Sequence, residues 1–83
     1  MNADIEEWIV NWFSSNATLG KEEIGANFDL NYLESGWIDS FKFINLISDL
    51  ETHFMIKFSN DQFQDRKFGT VAGLIEVVRE KIK

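Results

Sequence analysis

Three stretches of the chain repeat apolar residues at intervals of three and four, and this repeat constrains the fold more than any other feature. Ile5, Trp8, Ile9, Trp12 and Phe13 form the first stripe, Phe43, Leu46, Ile47, Leu50 and Phe54 the second, and Val71, Leu74, Ile75, Val78 and Ile82 the third. A period of 3.6 brings each set to one side of an α-helix, so each helix carries a face that another element must cover. Three such faces in 83 residues predict an all-α fold. Cysteine is absent, so neither a disulfide nor a thiolate-held metal can stand in for a packed core. Eight Phe, three Trp and one Tyr supply that core. A chain of this length suits one domain, residues 1–83, that buries about 60% of its unfolded surface.

The punctuation between the stripes refines the expectation. Asp4, Glu6 and Glu7 suit the first turn of the first helix, Asp4 and Glu7 have the spacing of a capping box, and Ser14, Ser15 and Asn16 end it. From Ala17 to Asp39 the periodicity fails and Gly20, Gly25 and Gly36 interrupt scattered apolar residues. This predicts a long ordered loop, with room for a helical turn at Lys21–Gly25; loops of that length are often functional. Asp39 is the expected N-cap of a second helix from Ser40 to about His53. Ile56 and Phe58 read as a partly buried extended connector, and a short helical turn follows near Asp61–Gln64. Thr70 then caps the last helix, whose Arg79, Lys81 and Lys83 suit the negative end of its dipole. The architecture expected is a small four-helix bundle with three main helices, one short helix and a long first loop.

The net charge of −6 is unevenly distributed. Residues 1–56 hold ten acids and two bases, and residues 57–83 hold four acids and six bases. An acidic surface repels phosphate backbones and anionic membranes, which disfavours nucleic-acid and lipid-surface roles and favours basic protein partners. No apolar run approaches the length of a membrane span, and MNADIEEW begins with acids where a signal peptide begins with a positive charge. A cytoplasmic monomer is expected.

Enzymatic sites are poorly supported. A catalytic serine needs a base within hydrogen-bond reach, yet the only histidine, His53, lies 13 residues beyond Ser40 on the same helix, about 20 Å away along its axis. One histidine and no cysteine leave only carboxylates for a metal. The best EF-hand register, from Asp29, has Glu34 where glycine is required and Ser40 where glutamate is required. Neither catalytic nor metal-binding residues are expected. The plain reading of Asp39 and Ser40 is helix capping. Gly36, however, gives a turn, Trp37 and Ile38 can anchor the loop, and Ser40 then opens a helix whose free N–H groups and positive dipole end suit a phosphate ester.

With these residues in place, the chain resembles the acyl carrier protein family, including the peptidyl and D-alanyl carriers. The resemblance covers nearly the whole chain: the order and length of the helices, the long first loop, YLESGWIDSF, the Asp61–Phe63 turn, and TVAGLIEVV opening the last helix. It implies a 4'-phosphopantetheine arm on Ser40, preceded by Asp39, added from coenzyme A by a phosphopantetheinyl transferase. The spaced G-x-x-D-S form through Gly36, Asp39 and Ser40 looks like that of discrete carriers, among them D-alanyl carriers. The resemblance further implies that the chain catalyses nothing itself. It would hold acyl or aminoacyl groups as thioesters for loading and transfer enzymes of fatty-acid, polyketide or related specialised biosynthesis. Partners would meet the start of the second helix, where Trp37, Phe41, Lys42, Asp49 and Glu51 are the candidate recognition residues. The alternatives are a D-alanyl or peptidyl carrier, or an unmodified helical interaction module in which Ser40 is only a cap and Phe41 or Trp37 forms a binding patch.

Overall fold

Each apolar stripe is a helix. A computed structural model, describing residues 2–17, 19–59 and 61–82, has α1 at Asn2–Asn16, a short α2 at Lys21–Gly25, α3 at Ser40–Phe54 and α4 at Val71–Ile82. Two 3-10 turns, Gln62–Gln64 and Arg66–Gly69, lead into α4. Among the described residues the one extended pairing is an isolated bridge between Asn31 and Thr70, so the fold is all-α.

The stripes meet in a single core. Ile5, Ile9, Trp12 and Phe13 of α1 pack with Leu46, Ile47 and Leu50 of α3 and with Val71, Leu74, Ile75, Val77 and Val78 of α4. Each such side chain contributes roughly 1.5–3 kcal/mol on burial, which is why helices of this length hold here when they would be marginal alone. Trp8, Phe43 and Phe54 sit half-buried at its margin. Ile82 departs from the expected stripe: it is 47% exposed.

The caps follow the sequence in two cases and not in a third. Asp39 Oδ1 accepts the Lys42 N–H at 2.9 Å, and Thr70 Oγ1 accepts the Gly73 N–H at 3.0 Å. The Asp4–Glu7 capping box does not form, because α1 already includes Asn2 and a cap must precede the first helical residue. Asp4 lies instead in the first turn, where its charge still complements the dipole. α3 ends on Met55 in the left-handed region, φ 56°, with its N–H bonded to the Glu51 carbonyl.

The long connection is ordered and tied down at several points. It forms α2, whose Ile24 is fully buried, and this is the short α-helix of the bundle. The short helical turn expected near Asp61–Gln64 is present as a three-residue 3-10 turn, Gln62–Gln64. Tyr32 is fully buried against Phe13; its hydroxyl donates to the Phe68 carbonyl and its N–H to the Gly69 carbonyl at 3.1 Å. Burial pushes the Tyr32 phenol well above its usual range. The second 3-10 turn, which no periodicity announced, buries Phe68 and is capped by Asp65 through the Lys67 N–H. It crosses α4 at Gly73 so closely that a Cβ there would overlap the Lys67 carbonyl group, with its carbon only 2.6 Å away. That contact explains a glycine inside a helix.

Candidate functional site

Gly36, at φ +80°, takes a conformation that other residues adopt at a cost, and reverses the chain just before α3. The reversal is clamped from both sides. The Trp37 N–H donates to the Tyr32 carbonyl at 2.9 Å, the Trp37 ring meets Phe13 edge-on at 5.9 Å, and Ile38 is buried. Asp39 is then forced out to solvent, where its carboxylate caps α3, and Ser40 follows as the first helical residue, exposed. The Ser40 hydroxyl makes no hydrogen bond among the described residues, so the cap function belongs to Asp39 alone.

From Ser40 one helical stripe runs down α3 through Phe43, Ile44, Ile47, Ser48 and Glu51, at i+3, i+4, i+7, i+8 and i+11. With Phe63 from the first 3-10 turn, these residues line a groove of about 310 Å³, at the lower end of the roughly 300–1,000 Å³ usual for small-molecule sites. Its lining is apolar except for Ser48 and Glu51, and Glu51 Oε2 is already engaged by the Phe58 N–H at 2.9 Å. A second, more polar hollow of about 510 Å³, with Asp65, Arg66 and Thr70 in its wall, shares Phe43 and Phe63 with the first. Ile44 is 65% exposed and Phe41, beside Ser40, 78% exposed. Met55, at the other end of α3, is 90% exposed.

The remaining candidate residues divide. Asp39, Ser40, Phe41 and Lys42 stand together at the start of α3, with the Lys42 ammonium donating to the Asn16 carbonyl at the end of α1, 3.2 Å away. Trp37 is half-buried and holds the turn. Asp49 and Glu51 lie two to three turns further along with their carboxylates already occupied, Asp49 Oδ2 by the Trp12 indole N–H at 2.9 Å and Glu51 by the connector. Sequence reasoning missed Ile44 and Phe63. Ile44 carried a signal, being an apolar residue outside the α3 stripe; Phe63 carried none, since its place depends on the path of the chain after α3. His53 is exposed and stacks on Trp8 at the opposite end of α3. No cluster of three or more metal-ligating side chains occurs among the described residues, and no helix is long and apolar enough to cross a membrane.

Comparison of the chain with protein-family models, with curated proteins and with solved structures finds no match.

Proposed function

We propose that the chain is a carrier protein that is modified on Ser40 with 4'-phosphopantetheine and delivers acyl groups with an apolar body to partner enzymes. One observation carries this reading: an exposed serine with no bonding duty, at the positive end of a 15-residue helix, heads the stripe that lines an apolar groove. In the modification, the Ser40 oxygen forms an ester bond to the nearer phosphorus of coenzyme A. The pyrophosphate bond breaks, adenosine bisphosphate leaves, and the hydroxyl proton passes to a base of the transferase. The first N–H groups of α3 and its dipole favour the resulting phosphodiester. Asp39 serves by holding the helix start, its carboxylate spent on the Lys42 N–H. When attached, the arm supplies a terminal thiol on which cargo is held as a thioester.

The groove favours the acyl over the aminoacyl version of the reading. Phe43, Ile44, Ile47 and Phe63 gain by covering methylene groups at about 0.8 kcal/mol each, whereas the one carboxylate in the lining, Glu51, already accepts the Phe58 N–H. The partners implied are a phosphopantetheinyl transferase and acyl-loading and transfer enzymes that meet Phe41, Ile44 and Lys42. A second reading, the unmodified interaction module, is favoured by the exposure of Phe41 and Ile44 alone. Mass spectrometry separates the two. Incubation with coenzyme A and a broad-specificity phosphopantetheinyl transferase is expected to add one phosphopantetheinyl unit, and Ser40→Ala to prevent it. An unchanged wild-type mass with several such transferases would leave the interaction module.

A further inference from the structure

At the far end of α3 from Ser40, a cleft of about 450 Å³ opens between two helices, lined by Asp4, Glu7, Trp8 and Asn11 of α1 and by His53 and Phe54 of α3. Its aromatic wall is built: Trp8 and His53 stack at 5.1 Å with planes 24° apart, and Phe54 meets both edge-on, at 5.6 Å and 4.7 Å. Its lining holds two acids, Asp4, which already has a partner, and Glu7, against one basic group, the His53 imidazole, and among the described residues no lysine or arginine lines it. The ring faces of Trp8 and Phe54 and the carboxylate of Glu7 are negative toward an approaching cation.

We propose that this cleft is a docking site for an arginine side chain in a basic segment of a partner protein. Arginine fits better than lysine because a guanidinium can lay its plane on a ring while its edge N–H groups reach carboxylates such as that of Glu7. The site stands apart from the carrier reading, needing neither Ser40 nor its modification. It lies about 20 Å from Ser40 along α3, 13 residues at 1.5 Å each, so a partner held there leaves the start of α3 free.

The test is a titration of the full ¹⁵N-labelled chain with an acetylated, amidated tetra-arginine peptide, followed through the indole N–H signals of Trp8, Trp12 and Trp37. The Trp8 signal and the amides of residues 4–11 and 52–54 are expected to shift saturably while the Trp12 and Trp37 indoles hold still. Tetra-lysine should bind at least threefold more weakly. Glu7→Gln, an exposed change that leaves the core alone, should weaken tetra-arginine at least threefold, and Trp8→Leu by more. The proposal is overturned if shifts spread equally over Glu22, Glu23, Asp29 and Glu34, if the two peptides bind alike, or if Glu7→Gln has no effect. A Trp8 shift on concentrating the protein alone would assign the cleft to a second copy of the chain and equally overturn it.

Discussion

The start of α3 and the crossing of the second 3-10 turn over α4 are built to opposite specifications. At the crossing nothing is spare: Tyr32 is buried with its hydroxyl bonded, Phe68 is buried, the chain of residues 31–32 is tied to that of 69–70, and Gly73 admits the Lys67 carbonyl against the helix. At the start of α3 the hydroxyl of Ser40 makes no hydrogen bond among the described residues, and the rings and branches of Phe41 and Ile44 stand in solvent. The difference teaches where the fold invests its rigidity. The crossing fixes the long connection, the connection fixes the Gly36 turn, and that turn fixes a surface which contributes nothing to the core.

Gly73→Ala breaks the rigid side of the comparison most directly. Alanine improves intrinsic helix propensity by about 1 kcal/mol. The added Cβ, however, meets backbone of a turn held by Asp65 and Tyr32, which cannot move aside as a flexible side chain would. Overpacking costs typically about 1–3 kcal/mol and occasionally more. The clash is expected to win, with a net loss of about 2 kcal/mol in chemical denaturation; wild-type stability would show that the crossing is looser than described.

Tyr32→Phe keeps the ring and removes only the hydroxyl, leaving the Phe68 carbonyl without that donor in a buried place. The expected loss at neutral pH is about 1–2 kcal/mol. The pH dependence sharpens the assignment. The unfolded chain ionises this phenol near its usual value of about 10, whereas the folded chain retains the proton to higher pH because burial penalises the phenolate. The unfolded state therefore binds fewer protons, and stability present below pH 10 is lost as pH rises above it, by up to about 1.4 kcal/mol per unit. Lys67, raised by its hydrogen bond to and the charge of Glu76, is exposed and loses its smaller contribution at alkaline pH too. The difference between wild type and Tyr32→Phe isolates the phenol: the mutant should lack its share of the alkaline slope.

How much of this was legible in the sequence depends on the range of the interaction. The stripes of α1, α3 and α4, the caps Asp39 and Thr70 and the Gly36 turn are local, set by residues within a few positions of one another, and could be read from spacing and residue type. The place of Ser40 as the first residue of α3 follows from the same local signal, whereas its modification rests on the family resemblance. Tyr32, Phe68 and Gly73 could not be found that way, because each owes its role to chain 6 to 36 residues away. Asp49 and Glu51 looked like surface charges for the same reason: neither Trp12, 37 residues back, nor Phe58, across the end of α3, lies within one helical face of them. Asp4 failed in the other direction, since capping-box spacing was present but the helix began before it.

The smallest effect on stability is expected on the open side, and there it is the absence of an effect that matters. Phe41 at 78% and Ile44 at 65% exposure have little burial to lose. Phe41→Ser and Ile44→Ser should therefore each change stability by no more than about 0.5 kcal/mol, the usual limit for surface changes. Serine lowers helix propensity by a few tenths at most, within the same limit. If the carrier reading holds, the same substitutions should slow modification of Ser40 by a phosphopantetheinyl transferase severalfold, since an enzyme reaching that hydroxyl must cover the residues one position and one turn beyond it. Thermal melts and modification rates measured on the same samples keep the two quantities apart. Unchanged melts with slowed modification would mark Phe41 and Ile44 as contact surface. A fall of 2 kcal/mol or more in either mutant would show that these side chains pack in solution, and the contrast between the two ends of this connection would be lost.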